Sequence, residues 1–340
     1  MKKIRMGLIG CGNMMKSHIA AVNSVGNVEF TAVCDIDRER AEDVATVLDN
    51  PYITTDYKTM LDYVDGVLVV LPHDLHYECG MFFAKNKKHI LMEKPLCNTE
   101  KECESLIDAC EKENVVLMCA YPVRYWPGII KLKEYIDSGD YGKVIEMSIW
   151  TEHNPIIKEG SWICTDKIGG GQFCSHGYHY VDVMLWFMGN PVEGAHFGTR
   201  IGTPHLLSEG TSAAIFKFES GAIGYHGATW AAKGSRLRCD FQIQTEKGML
   251  EYEHIKGEVR LYDEIYRTID GEPVYKVLWK RESEVDKETQ HEIKHFADCV
   301  LNGTTPLTDA RSALKGLQVI WRMYDAEKNH ITADLRGLGF

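Results

Sequence analysis

Five runs in the first 120 residues are dominated by apolar side chains: "RMGLIG", "VEFTAVCD", "GVLVVL", "HILMEK" and "VVLMCAY". Short runs rich in β-branched residues, with no polar alternation, read as strands buried on both faces. The stretches between them, 14–23, 38–48, 75–85 and 101–112, read as helices. Strand and helix alternating in this way predict a doubly wound parallel sheet of the Rossmann type.

The pattern changes near Tyr121. "WPGIIKLKEYIDSG" predicts one helix, opened by Trp126-Pro127 and closed by Gly139. Beyond it, "KVIEMSIWTEHN", "TSAAIFKFESGAIGYHGATW", "LRCDFQIQTEKGMLEYEH" and "EVRLYDEIYR" alternate polar and apolar positions, as antiparallel strands do. Hairpin turns are expected at 219–221 and 246–248, and two helices near the end at 289–301 and 309–329. The predicted fold is α/β, with an N-terminal domain over 1–121. An α+β domain over 122–340 follows, with a large open, mainly antiparallel sheet. Helices can cover only one face of such a sheet. Strands such as "AAIFKFES" leave apolar side chains on the other, which predicts a homodimer or homotetramer.

Composition narrows the function. The chain has 340 residues, 44% hydrophobic and 26% charged, with a formal net charge of −11. That charge argues against nucleic acid and anionic membrane as partners. Eleven cysteines are dispersed without a C-x-x-C pair, which points to free thiols in a reducing cytoplasm. "MKKIRMGLIG" faintly resembles a signal peptide, but its apolar run breaks at Gly10 and reads as a first strand. No apolar segment reaches the roughly 18 residues that a membrane span needs. Two histidine pairs, His73/His76 and His176/His179, have ligand-like spacing, yet no acid or thiolate completes either, so no metal is expected.

Gly10-Cys11-Gly12-Asn13-Met14-Met15 stands between a strand and a helix. There Gly10 permits a tight turn, and Gly12 lets the backbone approach a pyrophosphate at a helix N-terminus. Met15 occupies the position of the usual third glycine and must be accommodated by a lifted helix or a turned-away side chain. Asp35 ends the second strand, where an acid accepts hydrogen bonds from the adenosine ribose and repels a 2′-phosphate. NAD is therefore expected over NADP, although Arg38 and Arg40 stand nearby.

"HILMEKPLCNT" places Glu93, Lys94 and Pro95 after the fifth strand, on the edge where such sheets bind ligands. This stretch resembles the E-K-P signature of the Gfo/Idh/MocA family, the glucose-fructose oxidoreductase and inositol dehydrogenase relatives. "VVLPHDLHYE", with Pro72 and His76, resembles the family's P-x-x-x-H turn. "GSWICTDKIGGGQFCSHGYHYVDVMLWFMG" and "EIKHFADCVLNGTTPLTDARSALKGLQVIWRMYDA" resemble its second-domain and C-terminal helices. The resemblance implies a nicotinamide lying between two domains, beside a lysine and a histidine, which here are Lys94 and His179. It departs at Ser175, followed by His176, where many relatives carry Asp.

Oxidation of a secondary alcohol needs a hydride acceptor and a base. A charged Lys94 stabilises a developing alkoxide while His179 takes the proton; the opposite assignment, with Lys94 as base and His179 orienting, stays open. Asp182, one turn beyond His179, is either its orienting acid or a surface helix residue. Asn13, Met14, Pro72, His76, Glu93, Arg124 and Trp162 join Gly10, Gly12, Asp35 and Lys94 as candidate cofactor contacts. Tyr125 is either a cleft-lining aromatic or core. His153, Ser175 and His176 join Lys94 and His179 as candidate substrate contacts. The expected activity is an NAD-dependent dehydrogenase of a sugar, glycoside or inositol. The alternative is a redox glycosidase that uses tightly bound NAD transiently.

Overall fold

Residues Ile4–Ile9 form β1, five of whose six residues are buried, so the strand is enclosed on both sides as its unbroken apolar run requires. In this computed structural model the chain continues through α1 (Asn13–Val22), β2 (Val28–Cys34), α2 (Arg38–Ala45), β3 (Tyr52–Thr54), β4 (Gly66–Val69), α3 (His76–Lys85), β5 (His89–Glu93), α4 (Glu100–Lys112) and β6 (Leu117–Ala120). The structure describes all residues except 1, 23, 158, 165–169, 237–238, 264–267, 270–271 and 283–288. The side chains at 16, 20–22, 162, 268–269 and 272–273 are also outside the description. The six strands form one parallel sheet in the order β3-β2-β1-β4-β5-β6, the doubly wound order in which the crevice lies beyond the C-terminal ends of β1 and β4.

The second part begins with α5 (Pro127–Asp137), whose proline at the first turn needs no hydrogen-bond donor there. β7 (Val144–Glu152), α6 (Gln172–Ser175), α7 (Tyr178–Met188), β8 (Pro191–Thr199), β9 (Thr211–Phe218), β10 (Ile223–Thr229), β11 (Cys239–Thr245), β12 (Gly248–Glu253) and β13 (Glu258–Tyr262) follow. A small pair, β14 (Thr268–Ile269) and β15 (Glu272–Pro273), precedes β16 (Lys276–Lys280), α8 (Thr289–Asn302), α9 (Ala310–Lys328) and β17 (Ala333–Asp334). The nine-stranded sheet runs β16-β13-β12-β11-β7-β10-β9-β8-β17. Both expected hairpins are present, as β9–β10 and β11–β12. Several features differ from the sequence reading. β7 and β10 pair in parallel at the centre, and β8, which carries Gly194 and Gly198, was not foreseen as a strand, nor were β14 to β17.

The chain divides into two compact units. One is Met1–Tyr125 with Val285–Leu314; the other is Trp126–Glu284 with Lys315–Phe340. The expected division at 121/122 thus falls four residues later, and a C-terminal segment returns to the first unit. The reason is the apolar face of α8. Ile293, Phe296 and Ala297 are buried in one core cluster with Ile4, Met6 and Leu8 of β1 and Met15 of α1. In the second unit α6 and α7 pack on β7, β9 and β10, and α5 on β12, β13 and β16. No helix among the described residues is long and apolar enough to cross a membrane.

Candidate active site

In the first unit, the turn after β1 has the form a dinucleotide requires. Gly10 has φ +87°, and a Cβ there would lie 2.2 Å from the Val70 carbonyl oxygen, so only glycine fits. At Gly12 an added Cβ would meet no protein atom within 4 Å, which leaves open space at the N-terminus of α1. Met15 is fully buried in the core, so the side chain has turned inward to pack beneath the sheet's own residues. Asn13 opens α1, and Met14 is 40% exposed beside the turn.

Asp35 follows β2 and is almost buried. One of its oxygens accepts the Cys11 N–H at 2.6 Å and the other accepts the Asp37 N–H at 2.9 Å. The carboxylate therefore braces the Gly10–Gly12 turn. Each oxygen keeps a further lone pair for a hydroxyl donor. The two arginines that leave NADP open are tied to acids: Arg38 Nε donates to Glu42 at 2.8 Å, and Arg40 Nε lies 3.1 Å from Asp37.

The next edge positions are Pro72 and the Glu93-Lys94-Pro95 turn. Pro72 precedes the short 3₁₀ turn His73–Leu75, from which α3 continues at His76. His76 is wholly enclosed. Its Nδ1 lies 2.8 Å from the Pro95 carbonyl oxygen and its Nε2 3.0 Å from that of Leu71, and burial pushes its pKa down. The ring thus sits between the Leu71 and Pro95 carbonyls, and its single N–H when neutral donates to one of them. Glu93 is also a brace. Oε2 accepts the Lys94 backbone N–H at 3.1 Å, and Oε1 lies 2.7 Å from Nε2 of His18. Arg124 is buried and donates from Nη1 to the Leu307 carbonyl at 3.1 Å. Tyr125 is a core residue whose hydroxyl meets Thr308 Oγ1 at 3.1 Å.

In the second unit, Ser175 ends α6 and His179 lies in the first turn of α7, with His176 in the link between them. The His176 ring packs edge-on to His153, centroids 4.8 Å apart, and lies 5.9 Å from His179. His153 follows β7, where its N–H bonds the Thr229 carbonyl. The structure thus brings the three histidines into one group. Asp182 is buried, so the surface reading of that acid does not hold. Trp162 opens the 3₁₀ turn Trp162–Cys164, and its side chain lies outside the described residues.

Glu209 and Tyr324 escaped the sequence reading. Glu209 Oε1 accepts the Phe173 N–H at 2.9 Å and the Tyr324 hydroxyl at 2.7 Å, while that hydroxyl accepts the Cys174 N–H at 3.0 Å. A remote acid and phenol therefore satisfy the first amides of the segment that carries Ser175, His176 and His179. No local periodicity marks Glu209. His18 and Glu292 were also missed, although both left a signal: a polar residue on the otherwise apolar face of an amphipathic helix.

The glycine turn, the open space at Gly12 and the acid after β2 fit NAD and give the first unit the form of an NAD-binding Rossmann domain. The description "Oxidoreductase family, NAD-binding Rossmann fold" matches residues 4–121, and "GFO/IDH/MocA C-terminal domain" matches 129–251. The chain belongs to the Gfo/Idh/MocA family of oxidoreductases. It is 25% identical over 294 residues to levoglucosan dehydrogenase of Pseudarthrobacter phenanthrenivorans, covering 75% of this chain and 74% of that one. It is 25% identical over 329 residues to scyllo-inositol 2-dehydrogenase (NAD(+)) of Bacillus subtilis, covering 93% and 92%. The solved structure of levoglucosan dehydrogenase with NADH superposes with a TM-score of 0.87 at 20% identity, over 98% of this chain and 99% of that one, which confirms the fold.

Proposed function

We propose that this oxidoreductase moves a hydride between a secondary hydroxyl of a sugar, glycoside or inositol and NAD. The observation that carries the reading is the conjunction on one sheet edge of the Gly10–Gly12 turn, Asp35 and the Glu93-Lys94-Pro95 turn. Relatives named for levoglucosan and inositols supply the substrate class. The redox-glycosidase alternative finds no support among these relatives, which are named as dehydrogenases.

Gly10, Gly12, Asn13, Met14, Asp35 and Pro72 are assigned to the cofactor. NAD, when bound, accepts the hydride from the carbinol carbon. The hydroxyl proton must leave at the same time, and a negative charge develops on the oxygen. Lys94 and His179 are the two groups assigned to these tasks, one stabilising the oxygen and the other holding the proton. His153, Ser175 and His176 offer hydrogen bonds to further hydroxyls, where many relatives carry an acid at the Ser175 position. Mixing the protein with NAD and a panel of pyranoses, glycosides and inositols should give growing absorbance of reduced nicotinamide and a ketone product. No reduction across the panel, or a preference for NADP, would count against the reading.

The assembly proposed with it is a homodimer, or a tetramer of dimers, paired through the uncovered sheet face. By strand register that face carries Phe197, Ile215, Tyr225 and Trp150, and Phe197 and Trp150 are 68% and 43% exposed.

A further inference from the structure

Behind the Lys94 turn the first unit buries an imidazole between two carboxyl groups. His18 comes from α1, Glu93 from the end of β5 and Glu292 from α8. His18 and Glu292 are wholly buried and Glu93 nearly so. A charged carboxylate survives in such a place only when its oxygens are hydrogen-bonded. Glu93 meets this condition twice, with Nε2 of His18 at 2.7 Å from Oε1 and the Lys94 amide at 3.1 Å from Oε2. The two bonds fix the plane of the carboxylate, and through it the backbone from which the Lys94 side chain extends.

Glu292 stands on the far side of His18, its Oε1 3.9 Å from Nδ1 and outside hydrogen-bond range. The α8 helix is held there by its apolar face and by Thr289 Oγ1, which donates to the Ser17 carbonyl at 3.1 Å.

We propose that His18 is a positioning residue for Lys94: it holds the Glu93 carboxylate, which holds the Lys94 amide, and Glu292 closes this chain from behind. The inference rests on Lys94 being the proton-handling lysine assigned above. The titratable groups facing Glu292 are His18 from α1, Glu93 from β5 and Tyr125 from the 3₁₀ turn Pro122–Tyr125. Burial, and then the Glu93 charge, raise the Glu292 carboxyl well above its ordinary 4.5, which favours its protonated form.

The test uses the full chain without added cofactor. Fragment-resolved hydrogen exchange reads the Lys94 amide directly. His18→Phe, which keeps a ring but loses the donor, should speed its exchange by about tenfold or more, the scale of a lost charge-assisted hydrogen bond. Exchange in α3 and in the β11–β12 hairpin should stay unchanged. His18→Gln, whose amide N–H reaches the same oxygen, should restore most of the protection, and a residue that merely fills space would not be rescued this way.

Glu292→Gln is an independent variant in case His18→Phe does not fold. The folded state keeps the Glu292 proton while the unfolded state releases it as pH rises through 4.5, so the wild type loses stability with rising pH. Glu292→Gln should therefore raise Tm at pH 8 and leave it nearly unchanged at pH 4. Unchanged Lys94 exchange in a folded His18→Phe protein, or a lowered Tm for Glu292→Gln at pH 8, overturns the proposal. Altered exchange together with full activity of Lys94→Ala would leave the positioning intact and remove only the catalytic role of Lys94.

Discussion

At the scale of single residues, the proposed site separates groups assigned to a ligand from groups that hold those groups in place. Lys94 is assigned to the first kind. Lys94→Ala should leave the Kd for NAD within about tenfold and lower kcat by roughly 10²–10⁴, the range for a lost proton-transfer or electrostatic group. His179→Ala should do the same, and steady-state kinetics with direct NAD titration separates the two effects. Asp35 is assigned to both kinds: it is the proposed ribose contact, and it accepts the Cys11 and Asp37 amides. Asp35→Ser should weaken NAD, relax discrimination against NADP and cost about 1–3 kcal/mol of stability. Unchanged Tm with altered cofactor choice would show that the brace contributes nothing. The residues assigned to the ligand stand out in the sequence because each sits at a strand end with a required spacing. The braces Glu209 and Tyr324 do not, because their partners lie far along the chain, and the polar positions His18 and Glu292 on apolar helix faces do not show what they meet. The setting of His76 was hidden for the same reason: its motif position was visible, but the carbonyls beside its ring, those of Leu71 and Pro95, were not.

At the scale of elements, the turn between β1 and α1 gives a sharp contrast. Gly10→Ala puts a Cβ against the Val70 carbonyl at a positive φ and should cost at least about 2 kcal/mol of stability. Gly12→Ala meets no protein atom, so its stability should change by less than about 0.5 kcal/mol. Under the proposed cofactor assignment its Cβ would stand where the pyrophosphate comes close, and NAD affinity should fall about tenfold or more. Thermal melts and NAD titration of both variants check this; a Gly12→Ala protein that binds NAD normally would place the pyrophosphate elsewhere. Element type followed the sequence well wherever burial was uniform, as in β1, β4, β5 and β6. It failed at β8, whose Pro191, Gly194 and Gly198 suppress the strand signal while pairing with β9 supplies it. The parallel β7–β10 pair was equally hidden, because alternation reports burial and not strand direction.

At the scale of the whole molecule, the net charge, the two-unit chain and the uncovered sheet face were all visible in the composition and pattern, whereas the return of α8 to the first unit was not. That return depends on which apolar surface an amphipathic helix finds, and periodicity alone does not say. The uncovered face predicts a scattering mass two or four times 38.6 kDa. Trp150→Asp combined with Ile215→Glu should reduce it to 38.6 kDa, and a monomeric wild type would contradict the pairing. The central claim is hydride transfer from a carbinol carbon, and isotope transfer measures it most directly. The best substrate of the panel, deuterated at the reacting carbon, is turned over with NAD, and the reduced cofactor is weighed by mass spectrometry. The account predicts one deuterium in each reduced nicotinamide, with the rate lost in Lys94→Ala. Product formed with no deuterium in the cofactor would contradict it.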